Sequence, residues 1–368
     1  MKVDGLVFPH TDKTTKKTTL AKYRAAKKHR TKLRKSVRLA GNGPKKPETQ
    51  KGYLGSQLVR FASLVDAAKK LEYHERLSLP EYEAMASSLA MHKPIAENVF
   101  YYLKSKGNGK YRCICDFGVQ HRAAQSIVSD LIAAQFKPAA FQHNVPGRSV
   151  QLAVRRTKKF YEKGYVHALR LDVKAYYDHF NHAALMGSKL LPKAVTENVM
   201  IGRNYTMVPK GGLTPYLLSL DYPSILHSGG IPQGSACSPL VGNFYVSKLK
   251  YVLPKGTAVL NYADDFLVMA KSVEKLEKAK NALQASVEAL SVGQFELLVK
   301  TGSSFTSGFE FLGHSFEMKS GGGLAVTISL ANQQKIVVHW AKTFEEIEDL
   351  FHKQKKTPLL KGQCSTDR

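Results

Sequence analysis

Leu260-Asn261-Tyr262-Ala263-Asp264-Asp265-Phe266-Leu267-Val268 sets two adjacent carboxylates between apolar, strand-like flanks. Neighbouring acids repel, and an apolar setting makes each more costly to desolvate, so the pair asks for a cation. A second apolar run, His167-Ala168-Leu169-Arg170-Leu171-Asp172-Val173, reads as another strand and carries a third acid at its end. Two strands that together present three carboxylates are what a two-Mg²⁺ phosphoryl-transfer site requires. The constellation implies nucleotidyl transfer. The bland alternative is a hairpin turn, where Asp is common; it explains a turn but not the apolar flanks.

The whole chain supports a polyanion as partner. Its 368 residues carry 55 Lys+Arg against 29 Asp+Glu, a formal charge of +26. That excess is the footprint of nucleic acid first and of an anionic membrane surface second. No stretch is apolar for about 18 residues, so no membrane span is expected. Met1-Lys2-Val3-Asp4-Gly5 opens no apolar signal region, so a cytoplasmic location is expected. The four cysteines include no C-x-x-C pair, which argues against zinc and against a disulfide framework.

Residues 11–51 are dense in one sign of charge, including Lys27, Lys28, Arg30, Lys32, Arg34 and Lys35. The expectation is an arm that lies on phosphate backbone and becomes helical when bound. Residues 56–105 show helical spacing, and 107–117 read as a turn followed by a strand. Helices are expected at 122–134, 150–163, 183–201, 273–290 and from the 229–234 loop to about 252. Two short strands are expected near 205–226, a strand at 295–299, and one hairpin from 309–317 to 324–330 through Gly321-Gly322-Gly323.

Four segments in order carry a family resemblance. Tyr262-Ala263-Asp264-Asp265 resembles the Y-x-D-D box of reverse transcriptases. Leu171-Asp172-Val173-Lys174-Ala175-Tyr176-Tyr177-Asp178 is similar to that family's upstream acid box. Gly230-Ile231-Pro232-Gln233-Gly234-Ser235-Ala236-Cys237-Ser238-Pro239-Leu240 resembles the G-[IL]-P-Q-G-S-x-x-S-P box of the bacterial, group II intron-like branch. Phe309-Glu310-Phe311-Leu312-Gly313-His314 resembles the primer-grip segment.

The resemblance implies an α+β right-hand polymerase: a palm with an antiparallel sheet and helices, fingers, and a short helical thumb. It divides the chain into a basic arm (1–55), fingers (56–165 with part of 180–228), palm (166–318) and thumb (319–368). It implies Asp172, Asp264 and, more loosely, Asp265 as ligands of two Mg²⁺, with Mn²⁺ as substitute and the Val173 backbone as a further donor. Lys110 and Arg112 fall where the family holds the triphosphate; a planar guanidinium suits phosphate oxygens. Tyr177 falls at the steric gate against a ribose 2′-hydroxyl. Gln233 and Gly234 fall beside the incoming nucleotide, and Lys300 where a lysine near the leaving pyrophosphate is a candidate general acid. Arg122, Tyr262, Leu312 and Gly313 fall at primer and template positions.

The substrates expected from the resemblance are dNTPs on an RNA template, with a DNA product. About 50 residues follow the primer-grip segment, room for a short thumb only, so the resemblance narrows to compact stand-alone bacterial enzymes. Some of these copy a structured non-coding RNA in antiphage defence. An intron- or retron-related retroelement enzyme, an RNA-templated RNA polymerase and an RNA-binding protein with a vestigial site are the competing readings. The oligomeric state has no signature in the sequence.

Overall fold

The computed structural model describes residues 2–3, 6–9, 13–107, 109–212 and 214–355. The chain begins with helices α1 (Lys13–Ala40), α2 (Lys46–Gly55), α3 (Gln57–Ala68) and α4 (Leu79–Ser88). Strands β1 (Val99–Gly107) and β2 (Lys110–Phe117) follow, then α5 (Val119–Gln135), α6 (Val150–Glu162) and β3 (His167–Val173). Next come α7 (His182–Gly187), β4 (Met207–Pro209), α8 (Ser238–Val246), β5 (Thr257–Tyr262), β6 (Asp265–Ala270) and α9 (Val273–Glu288). Strands β7 (Leu297–Ser304), β8 (Phe309–Phe311), β9 (His314–Met318) and β10 (Leu324–Ile328) precede α10 (Leu330–Lys355).

Side-chain caps set several helix starts. Ser56, Ser149 and Ser272 each accept the backbone N–H three residues on, opening α3, α6 and α9. Ser78 and Glu81 form a reciprocal capping box at α4.

Besides the short antiparallel pairing of Lys2–Val3 with Leu6–Val7, three sheets divide the described strands. β5-β6-β3-β7 is an antiparallel four-stranded sheet, β2-β1-β4 a three-stranded sheet, and β8-β9-β10 a further meander. The four-stranded sheet is backed by α9, whose Leu276, Ala279 and Leu283 are buried. Phe180, Tyr176 and Phe295 interlock within ring-centroid distances of 5.1–5.4 Å and fix the segment that follows Asp172. This is the palm that the boxes imply, and the mixed helix-and-sheet architecture agrees with the expected class.

Several expectations are corrected. Residues 13–40 are not an arm but a helix packed on α3 and α5. Tyr23, Ala26 and Val37 face inward at helical spacing and are buried, and Tyr53 of α2 is fully covered. Arg30 belongs to that inward stripe. Its guanidinium meets Asp130 at 2.7 Å and Asp66 at 3.3 Å, so it is a packing residue and not a phosphate contact. Lys27, Lys28, Lys32, Arg34 and Lys35 remain exposed.

The helical reading of 56–105 runs too far, because Val99-Phe100-Tyr101-Tyr102 is aromatic and alternates buried with exposed, as a strand does. Pro192 interrupts the helix expected at 183–201. The region 205–226 contributes one strand, β4; Pro215–Ser219 and Tyr222–Ser228 are short helices that begin with proline in their first turn. The helix after the Gly-rich loop spans only Ser238–Val246. The C-terminal hairpin is two tight connections: Leu312-Gly313 joins β8 to β9, and the Gly-rich loop joins β9 to β10.

Candidate active site

The acid pair sits at a hairpin. β5 and β6 are antiparallel with Tyr262 opposite Asp265, leaving Ala263 and Asp264 as a two-residue turn. Ala263 takes a left-handed φ of 56° there. The turn is held from inside by Asn261, which is fully buried and donates to the Ala263 carbonyl (2.8 Å) and the Asp265 carbonyl (3.2 Å). The turn reading and the apolar-strand reading are therefore both right: Leu260, Phe266, Leu267 and Val268 are buried on either side of it. Asn261 went unnoticed in the sequence, although an Asn inside an apolar strand is the signal that would find it.

Asp172 arrives from the neighbouring strand in direct register with Asp265, and the Val173 N–H donates to the Asp264 carbonyl at 3.1 Å. The Asp264 carboxyl is held above the usual carboxylate range by burial, then by the charge of Asp172. Lys300 Nζ lies 2.8 Å from Asp172 Oδ1 and 3.4 Å from Asp265 Oδ1. The approach to Asp172 is ionic without hydrogen-bond geometry, and that buried oxygen has no hydrogen-bond donor. Lys300 reaches the acids because β7 bulges: Thr301 opposes Arg170 and Val299 opposes Leu171, so Lys300 is the extra residue.

Asp265 stands apart from the other two. Arg170 donates to its Oδ1 through both Nε (3.3 Å) and Nη2 (3.0 Å), and to the Glu310 carbonyl at 3.2 Å. Among the described residues no three His, Cys, Asp or Glu side chains close into a metal cage. The donors that suit a hard cation are Asp172, whose buried oxygen meets only the Lys300 ammonium, and Asp264, whose charge burial disfavours; a divalent ion would offset the latter. The sequence reading missed Arg170, yet it lies two residues before Asp172 and so on the same face of β3. Arg170→Gln is expected to loosen Asp265 and the β8 strand together and, if the site transfers nucleotides as the resemblance implies, to slow that step about 100-fold. Steady-state kinetics should put most of that loss in kcat; a pure rise in the KM for primer would assign Arg170 to binding alone.

Tyr177 is partly buried, and its hydroxyl is pushed up to about 12 by burial and the Asp264 charge, against the opposing Arg112. Those three side chains therefore share one electrostatic neighbourhood. Tyr176 beside it is a core ring whose hydroxyl donates to the Gly242 carbonyl. Arg112, exposed on β2, and Gln233 line a cavity of about 260 Å³ with Tyr111, Asp178 and Tyr222. The Gln233 side-chain amide donates to Asp178 at 3.0 Å, and the Gln233 backbone carbonyl accepts from Cys115 N–H at 2.8 Å. That bond stitches the Gly-rich loop to β2. Gly234 is required at this crossing: its φ is 103°, and a Cβ would stand 2.1 Å from the Cys115 carbonyl oxygen.

The other expected residues are more dispersed. Lys110 begins β2 and is exposed. Arg122 is paired with Asp116 at 3.1 Å, which Lys210 also holds at 2.8 Å. Tyr262 closes the acid hairpin opposite Asp265. Leu312 and Gly313 form the β8–β9 turn with φ of 52° and 72°, and the Gly313 carbonyl accepts from Ser329 N–H at 2.9 Å, tying the turn to the start of α10.

Residues 103–316 match the family model described as reverse transcriptase (RNA-dependent DNA polymerase). A search of curated proteins finds no match. Among solved structures, the chain is similar to one described as telomerase from Candida albicans in complex with a TWJ fragment of telomeric RNA, at 12% identity and a TM-score of 0.41. The alignment covers 66% of this chain and 46% of that one, so this chain matches less than half of its length.

Proposed function

As this chain belongs to the reverse transcriptase (RNA-dependent DNA polymerase) family, we propose that it extends a primer 3′-hydroxyl with dNTPs on an RNA template, using two divalent cations. The observation that carries this reading is the register of Asp172 opposite Asp265 across paired strands, with Asp264 in the adjoining turn, where its carbonyl accepts from the Val173 N–H at 3.1 Å. Asp172 and Asp264 would hold the cations, Mg²⁺ by preference for hard oxygen donors and Mn²⁺ as substitute, with the Val173 backbone as a further oxygen donor. When bound there, such cations would supply the acidification of the attacking hydroxyl and the charge neutralisation of the triphosphate.

The chain's own groups do the remainder. Arg112, with Lys110 behind it, forks onto phosphate oxygens. Gln233 faces the nucleotide from the loop whose path Gly234 permits. Tyr177 walls the sugar, so a 2′-hydroxyl meets the ring. Lys300, aimed by its bulge between two carboxylates, keeps an ammonium proton close to where the leaving group forms. Arg170 keeps Asp265 in place, so Asp265 orients the site more than it coordinates.

Tyr177→Ala tests the gate. Incorporation of NTPs relative to dNTPs is expected to rise about 10-fold or more, read from single-nucleotide primer extension. An unchanged ratio removes the gate role.

The template is a structured non-coding RNA and the setting a bacterial cell, where a compact enzyme of the group II intron-like lineage serves antiphage defence. The loop box at Gly230–Leu240 and the net charge of +26 support this narrower reading. It is tested by isolating the protein from its native host and sequencing the nucleic acid that accompanies it. One discrete RNA with complementary DNA that depends on Asp264 is the expected result. Mixed RNA without such DNA favours an RNA-binding protein with a vestigial site.

A further inference from the structure

A cavity of about 1010 Å³ opens between the α1–α2 connection, α2, the start of α3 and the 186–195 segment. None of the residues assigned above to the polymerase site lines it. Its floor is apolar, with Leu54, Met91, Met186, Leu191 and Val195. Its rim carries one sign of charge: Lys46, Lys51, Arg60, Lys189 and Lys193 line it, and no described Asp or Glu does.

Two of these cations are partly buried and, among the described residues, have backbone carbonyls and no carboxylate as partners. Lys46 Nζ donates to the Lys189 carbonyl at 2.7 Å, and burial lowers its pKa. Arg60 donates to the Leu89 carbonyl (2.7 Å) and the Gly55 carbonyl (3.3 Å), while its Nε is buried without a partner. Burial lowers its pKa as well. Cations withdrawn from water and left without a counter-charge destabilise the fold until an anion reaches them. A bare inorganic anion would answer the rim and leave the floor uncovered. A nucleobase with its phosphates answers both: an apolar face on the floor and oxygens on the rim.

We propose that this cavity is a second RNA site, holding an unstacked nucleotide of single-stranded RNA with its base on the Leu54–Met91–Met186 floor and its flanking phosphates on Lys51, Lys189 and Lys193. The inference rests on RNA as the partner and on no step of the polymerase chemistry. It gives the chain a grip on the RNA that does not use the polymerase site.

The test uses the full chain and a single-stranded RNA oligomer carrying 4-thiouridine, crosslinked by ultraviolet light and mapped by mass spectrometry. Crosslinks in the peptides spanning 42–55 and 186–195 are expected, in the parent protein and in Asp264→Asn alike. Lys51→Glu with Lys193→Glu, both at exposed positions, should cut that yield about tenfold while circular dichroism stays the same. Excess UTP should leave the crosslink in place; its loss to UTP would make this a free-nucleotide site and overturn the proposal. Crosslinks confined to the β1–β2 sheet and the palm would also overturn it. Crosslinks here in a parent protein that extends no primer would support the site while sinking the polymerase reading.

Discussion

Asp264→Asn is expected to abolish primer extension, lowering the rate by about 10³-fold or more, while RNA affinity stays at the parent value. The loss follows from removing a charge that holds the reacting phosphates' cations, a contribution of several kcal/mol to the transition state. The same substitution has a second, opposite signature. The Asp264 carboxyl is raised by burial and by Asp172, so its ionised form opposes folding at neutral pH. A folded-state pKa above the unfolded one means that stability is highest when the group is protonated, and falls as pH rises through the folded value. Asn removes that penalty. In chelator, the variant should melt at or above the parent temperature; with Mg²⁺ added, the parent should gain stability and the variant should gain less. Parallel thermal melts and single-turnover extension check both halves. A variant that loses RNA binding along with activity would show that Asp264 does more than hold cations.

Arg30→Ala is expected to destabilise the N-terminal helical region by about 2–3 kcal/mol, the cost of leaving a buried acid with only the half-exposed Arg34, 3.5 Å away, as its cation. Only 12% of the Arg30 side chain and 15% of Asp130 are exposed. Nη2 also donates to Ser126 at 2.8 Å, and the Tyr53 hydroxyl donates to the same carboxylate. The loss takes a large share of the stability a domain has to give. Arg30→Met combined with Asp130→Leu should recover much of it, since an apolar pair of similar volume avoids the uncompensated charge. Urea unfolding followed by tryptophan-independent far-ultraviolet dichroism reports the change. Unaltered stability with weaker, less salt-dependent RNA binding would return Arg30 to the surface role its neighbours have. For the same reason, removing residues 1–50 would strip Tyr23, Ala26 and Val37 from the core, and lost RNA binding in that truncation would not isolate a tail.

The chemistry was more legible in the sequence than the packing. Asp172 and Asp264 stand out because carboxylates in apolar runs have few structural uses; Gly234 was marked only by the resemblance and by glycine's tolerance of close approach, and the crossing with Cys115 emerges from the fold. Lys300 was placed by analogy; the physical reason for its reach is a bulge, which depends on pairing between strands 130 residues apart in register and leaves no local mark. Arg170 and Asn261 had marks that period-2 reading supplies once the strands are accepted. The N-terminal region misled because charge density dominates its composition, while its inward stripe, which includes Tyr23, Ala26, Arg30, Leu33 and Val37, is sparse and carries a charge of its own. The strand-like flanks of Leu260–Val268 were legible, but the turn between them was not marked, because Ala263 takes a left-handed φ where sequence favours glycine or asparagine.

The inward pin of Arg30 fixes the rotation of α1, and with it the bearing of Lys27, Lys28, Lys32 and Lys35. At 28 residues the helix is about 42 Å long. Its outward cations therefore form a rigid comb and not a chain that folds as it binds. Phosphates meeting this comb release counterions without ordering any backbone. Titration calorimetry on the exposed lysines should accordingly show a steep ionic-strength dependence with a heat-capacity change close to zero, where a segment that folds on contact would show a large negative one.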